Sequence, residues 1–173
     1  MQALAIVALS ILAAVCYGVL HDQITARVCI EYFTIGHPQV LAAATNSPTV
    51  NGFVWGVIAT WWVGLVLGVP LALAARIGVR PKKTVRELIR PLVILMVLTG
   101  ILALCSGIVG YTAASMGWIA LHGPLADRVP PEKHAPFIAD LFAHNLNYLA
   151  GAIGGIILIV HTWRSRQSLS NAL

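Results

Sequence analysis

Four stretches of the chain contain no Lys, Arg, Asp or Glu: 1–21, 32–75, 91–126 and 141–163. Each holds an apolar run of about the 20 residues that a helix needs to cross a bilayer. The pattern predicts membrane helices over 4–20, 53–75, 92–114 and 145–161. Between them fall a basic loop, 76–91, and two longer polar loops, 21–52 and 122–144. The third run stays uncharged to Leu121, so its helix is expected to project beyond the membrane to about that residue. The expected fold class is all-α, a polytopic four-transmembrane-helix bundle forming a single membrane domain over 1–173. The first run has no Lys or Arg ahead of it, and Val15 is too large for a lipoprotein cleavage before Cys16. It is therefore expected as a membrane helix, not a signal peptide.

Small residues recur along the predicted helices. Gly52, Gly56, Thr60, Gly64, Gly68 and Ala72 form a row at every fourth position. Gly100, Ala103, Gly107, Gly110, Ala114 and Gly117 form a second row, and Ala143, Asn147, Gly151 and Gly155 a third. In lipid, helices associate by close backbone approach, which such rows permit. The rows predict tight packing at Gly56, Gly64, Gly68, Gly100, Gly107, Gly110, Gly151 and Gly155, within the bundle or through self-association. Pro70 is expected to bend the second helix, because proline removes one backbone hydrogen bond.

Composition agrees with a membrane protein: 58% of residues are hydrophobic, 10% are charged and the mean hydropathy is +0.84. The net charge of +5 does not indicate a nucleic-acid partner, because it is concentrated by topology. Eight of the eleven Lys and Arg lie in the 76–91 loop or the C-terminal tail, and three in the other two loops. The positive-inside rule places the basic loop and both termini in the cytoplasm. There the basic loop would meet anionic lipid headgroups. Cys16, Cys29 and Cys105 form no C-x-x-C, which disfavours a disulfide framework, a zinc ribbon or haem attachment. Cys29 is expected as a small buried residue, or else as a lone reactive thiol.

That topology gathers the polar chemistry on the outer side, where five of six histidines and five of six carboxylates fall. Asp140, His144, Asn147, Tyr148 and Gly151 share one helical face that runs into a glycine row, and so points into the bundle. The Asp140 carboxylate, one turn before His144, is expected to orient its imidazole. Ser10, Ala14, Tyr17 and His21 make a similar row on the first helix. The stretch "HDQITARVCIEYFTIGHP" reads as a short interfacial helix, with Arg27 and Glu31 paired at i, i+4, closing on a Gly36-His37-Pro38 turn. "DRVPPEKHAPFIAD" contains a second short helix opening near Pro131.

Several functions compete for this cap. The leading reading is a small scaffold, assembly factor or accessory subunit that presents the cap to a membrane-protein partner. A second is a metal site, with zinc or a similar ion on His21, Glu31, His37 and His144, and with Asp140, Tyr148, Asn147, Asp22 and Arg27 around them. A catalytic version would be a hydrolase with a metal-bound water. A third is an electron-transfer protein binding haem b or quinone, with His21 and His144 ending two helices at one depth. Transport is disfavoured, since the span interiors hold no charge and no internal repeat is visible.

The run from His21-Asp22-Gln23 through Thr25-Ala26-Arg27-Val28-Cys29 and Glu31-Tyr32-Phe33-Thr34 to Gly36-His37-Pro38 resembles a widespread group of uncharacterised bacterial membrane proteins. The resemblance extends to "GVIATWWVGLVLGVPLALAAR" and to the region of His144. It implies a bacterial inner membrane, and carries no activity, substrate or cofactor.

Overall fold

The apolar stretches lie inside helices longer than the stretches themselves. The computed structural model describes residues 1–38 and 46–170, the side chains of 167–170 excepted. Part of the expected 21–52 loop and the last three residues fall outside the described residues. Among the described residues, four helices are long and apolar enough to cross a membrane: Gln2–Val28, Pro48–Arg76, Val85–Ser115 and Pro131–Arg166. No strand occurs among the described residues, and the protein is an all-helical four-helix membrane bundle.

The first helix, α1 (Gln2–Val28), does not stop at residue 20. Its 27 residues span about 40 Å at 1.5 Å per residue, well beyond the roughly 30 Å hydrocarbon core. Nothing from His21 to Val28 breaks a helix, and the Thr25 hydroxyl bonds back to the His21 carbonyl at 3.3 Å. His21 and Asp22 therefore sit on helix, not in a loop. Cys29 is extended (φ −148°, ψ 97°), and the five-residue α2 (Ile30–Thr34) restarts after it. That break destroys the continuous register an i, i+4 pair needs, so Arg27 and Glu31 do not pair. Arg27 instead donates to the Gln23 side chain (2.7 Å) and the Thr49 hydroxyl (2.9 Å), while Glu31 lies 4.0 Å from Lys133.

The second span is two helices, α3 (Pro48–Ile58) and α4 (Trp61–Arg76). The interruption falls at Ala59–Thr60, where the Thr60 hydroxyl bonds the Gly56 carbonyl, and not at Pro70, through which α4 runs on. A threonine bonding back one turn in this way bends helices.

The third span, α5 (Val85–Ser115), starts inside the expected basic loop. Glu87 reaches back to accept from the Thr84 amide (2.8 Å) and hydroxyl (2.9 Å), satisfying a helix N-terminus there. The expected extension to residue 121 is absent. Gly117 adopts φ +74°, and the amides of Gly117 and Trp118 bond to the carbonyls of Ala114 and Ala113. This pairing is the Schellman motif, which glycine makes cheap.

After α6 (Pro124–Arg128), a 3-10 turn at Pro131–Lys133 leads into α7 (His134–Ser170). The second expected loop, 122–144, is thus mostly helix, and Asp140 and His144 lie well inside α7.

Packing divides the bundle into two pairs, α1 on α3 and α4, and α5 on α7. The first small-residue row lies against α1: a Cβ added at Gly56 would sit 2.5 Å from Val19 Cα, and one at Gly64 2.6 Å from Ile11 Cα. Gly68 meets Ser10 at 2.7 Å, and Gly110 meets Phe142 at 2.8 Å. The other rows depart from expectation. Gly155 meets only the flexible Leu67 side chain, at 2.7 Å, and Gly100 and Gly107 have ordinary contacts of 3.6 and 3.4 Å. Gly151 has nothing within 4 Å, because it borders a cavity instead of a helix.

One apolar cluster, including Ile6, Leu71, Leu88 and Leu158, closes the basic end. A second, including Ala26, Cys29, Phe33, Val129 and Phe137, underlies the opposite end. The basic end is also pinned by Arg166, which is fully buried. Its guanidinium donates to the carbonyls of Ala74, Pro81 (2.7 Å), Ile77 (2.8 Å) and Arg80 (3.1 Å). It thereby ties the α4 C-terminus, where a cation is favoured, to α7.

Candidate metal centre

At the end away from the basic loop, the last turns of α1 bring His21 and Asp22 against Asp140 and His144 of α7. The α1 stripe Gly18, Asp22, Ala26 is buried at every fourth position, and it turns the Asp22 carboxylate inward. Asp22, Asp140 and His144 are 5%, 2% and 7% exposed.

His144 has both ring nitrogens engaged. Nδ1 lies 2.8 Å from the Asp140 carbonyl. A carbonyl only accepts, so Nδ1 carries the proton. In the neutral ring, Nε2 then presents a lone pair, and it faces Asp22 Oδ1 at 3.2 Å. Two electron pairs at that distance need a positive charge between them, either a proton or a metal ion. The His21 ring meets His144 edge-on with centres 4.6 Å apart. His21, Asp22 and His144 each offer one ligand atom, and these atoms all lie within 4.8 Å of one another. Tyr32 stacks on His144 at 4.4 Å and walls the site from α2.

Among the described residues, three buried polar atoms have no hydrogen-bond partner: Tyr17 Oη, His21 Nε2 and Asp140 Oδ2. Among the described residues, no Lys or Arg forms an ion pair with Asp22 or Asp140. Two buried carboxylates without a cationic side chain are costly, by several kcal/mol per uncompensated ion.

The structure redistributes the expected ligands. His21 and His144 converge. Asp22, expected only beside the ligands, is one of the convergent three. Glu31 turns away and accepts from the Cys29 thiol at 3.3 Å. His37 donates Nδ1–H to the Tyr32 carbonyl at 2.8 Å and packs between Phe33 and Trp55. Burial lowers its pKa, which keeps that ring neutral. Asp140 holds His144 through its backbone carbonyl, not its side chain. Asn147 is buried and Tyr148 half-exposed, both lining a cavity below the site; Arg27 lies outside it. Burial, and then the Glu31 bond, push the Cys29 thiol up to about 12, so it stays protonated and behaves as the small buried residue.

A planar macrocycle does not suit this spacing. Imidazoles on opposite faces of one iron have ring centres roughly 6 Å apart, given metal–nitrogen bonds of about 2 Å. The observed 4.6 Å is shorter. A tetrahedral ion with ligand bonds of 2.0–2.1 Å holds its ligand atoms about 3.3 Å from each other. The His144–Asp22 distance of 3.2 Å fits that edge. No family model, curated protein or solved structure matches the chain.

Proposed function

We propose that this membrane protein binds a divalent first-row metal ion, zinc or one similar, on His21, Asp22 and His144, with Asp140 beside them. The single observation that carries the reading is the facing of His144 Nε2 and Asp22 Oδ1 at 3.2 Å in a buried site. The orphaned His21 Nε2 and Asp140 Oδ2 support it. One dication would balance both carboxylates, and two imidazoles with carboxylate oxygen are a donor set that zinc accepts. The charge asymmetry supports an orientation with the site toward the extracytoplasmic face and both termini in the cytoplasm, and the bacterial inner membrane is what the resemblance of the His21–Pro38 run implies.

Elemental analysis tests the reading. Protein loaded with zinc in mild detergent and then desalted should retain one ion per chain. His144→Ala and Asp22→Asn should lose it, while His37→Ala and Glu31→Gln should keep it. Retention by all four variants, or no retained metal in the parent, would sink the proposal.

A scaffold or accessory-subunit role is a second reading, favoured by how other polar groups at this end are used. His37, His134 and Arg128 each bond a backbone carbonyl in or just after a short helix, of Tyr32, Val129 and Ile35. Trp118, just beyond the α5 C-terminus, is 75% exposed. Crosslinking through the 116–130 segment would recover a partner if that reading holds.

A further inference from the structure

A cleft of about 230 Å3 opens at the basic end of the bundle, between the first turns of α5 and the last turns of α7. Lys83, Glu87 and Arg90 line one side, and His161 and Ser165 the other. Leu88 and Thr162, each 1% exposed, close its base. Arg90 is the last charge before the run 91–126, and Arg164 is the first after the run 141–163. Two spans therefore cross the membrane boundary at this cleft, at the depth of the phospholipid phosphates. Ile94 and Ile157 lie one turn farther into the membrane than Arg90 and His161, and are 48% and 61% exposed. They give an acyl chain a path directly below the cleft.

The charges of the cleft are unevenly satisfied. Glu87 Oε2 accepts from the Thr84 amide and hydroxyl, and Lys83 Nζ lies 4.0 Å from Glu87 Oε1. Lys83 and the α5 N-terminus thus balance the one carboxylate. Among the described residues, Arg90 and His161 form no hydrogen bond or ion pair. A guanidinium fork and an imidazole on neighbouring helices suit the oxygens of a phosphodiester. A choline head would add its own cation to a cleft that already holds an excess of positive charge. A phospholipid with net negative charge would not, and basic pockets between spans at this depth favour such heads.

We infer that this cleft binds one anionic phospholipid, its phosphodiester on Arg90 and His161 and an acyl chain over Ile94 and Ile157. The inference narrows a general attraction of the basic loop for headgroups to a defined site between two helices. The cleft lies at the opposite end of the bundle from His21, Asp22 and His144, so it stands independently of the metal centre.

The test is native mass spectrometry of the full chain, delipidated in mild detergent and titrated with phosphatidylglycerol or phosphatidylcholine of matched acyl chains. The first phosphatidylglycerol should bind about tenfold tighter than the first phosphatidylcholine, a difference of about 1.4 kcal/mol. Arg90→Gln and His161→Gln should each bring that ratio below about threefold. Lys82→Gln and Arg164→Gln remove exposed charges outside the cleft and should leave it near tenfold. Either cleft variant decides if the other fails to fold. A ratio near one in the parent would overturn the inference. So would equal losses in the cleft and control variants, which would mean a diffuse attraction of the whole basic end. Loss of the ratio in excess glycerol 3-phosphate would assign the cleft to a soluble phosphate and overturn the lipid as its occupant.

Discussion

Asp140→Asn separates a metal centre from a purely structural polar cluster, because it acts with opposite sign on the metal-free and metal-loaded protein. In the metal-free protein, Asp140 Oδ2 is buried without a partner, beside a second carboxylate at Asp22. The amide keeps the shape and removes the charge. The change removes the repulsion between two neighbouring buried carboxylates, so the metal-free variant should melt above the parent. In the loaded protein, the same change removes one of the two charges that balance the dication. Loss of a supporting carboxylate weakens metal binding about 10- to 100-fold. At a zinc concentration of about 100 times the parent Kd, binding stabilises the parent by roughly 2.7 kcal/mol. The variant would then sit at about 1 to 10 times its own Kd, and gain only about 0.4–1.4 kcal/mol.

The assay follows reaction of Cys29 with a thiol-reactive dye on heating, in a Cys16→Ser/Cys105→Ser background that removes the two exposed thiols. Cys29 is 1% exposed and lies in the cluster beneath the site, so it reports local opening. The gap between zinc and chelator melting curves should be wide in the parent and narrow in Asp140→Asn, with the chelated variant melting above the chelated parent. A variant less stable without metal, or an unchanged zinc gap, would refute the reasoning.

Other consequences are independent of metal. Gly56→Ala should destabilise by about 1–3 kcal/mol by forcing α1 from α3, whereas Gly151→Ala should be neutral or stabilising because nothing lies within 4 Å; the same melts compare them. Arg166→Met should cost about 3 kcal/mol or more by stripping four carbonyls of their donor, and Arg164→Met at the exposed neighbouring site less than about 0.5 kcal/mol, read by denaturant titration in mixed micelles. For Cys29, a folded-state pKa of about 12 against an ordinary 9.0 means that folding favours the thiol. Its stabilising contribution is present below pH 9 and lost as pH rises toward 12, so native-state alkylation of Cys29 should stay slow at pH 8 and climb only above pH 10, measured by mass spectrometry.

The spans were legible because a bilayer demands long uncharged runs, and few soluble folds leave 1–21 or 141–163 without a charge. Helix ends were less so. Charge marks where apolar character stops, but a helix stops where its backbone can be capped. The sequence signals for the real ends are Gly117 after α5, Thr84 with Glu87 before it, and the absence of any breaker from His21 to Val28. In the site, the convergence of His21 and His144 follows from the depth of two helices. Asp22 was undervalued because adjacent helical residues point about 100° apart; its link to Gly18 and Ala26 at four-residue spacing is the signal that turns it inward. Glu31 and His37 followed composition alone, and the extended Cys29 sends Glu31 away. Glycine spacing located the α1 contact through Gly56 and Gly64. It could not distinguish a glycine that admits a helix from one, like Gly151, that borders a cavity.

X-ray absorption at the zinc edge of the loaded protein tests the central claim most directly. The account predicts only nitrogen and oxygen ligands near 2.0 Å, with the outer scattering of two imidazoles that falls to one in His144→Ala. A sulfur ligand at about 2.3 Å, fewer than two imidazoles in the parent, or a spectrum unchanged by His144→Ala would contradict it.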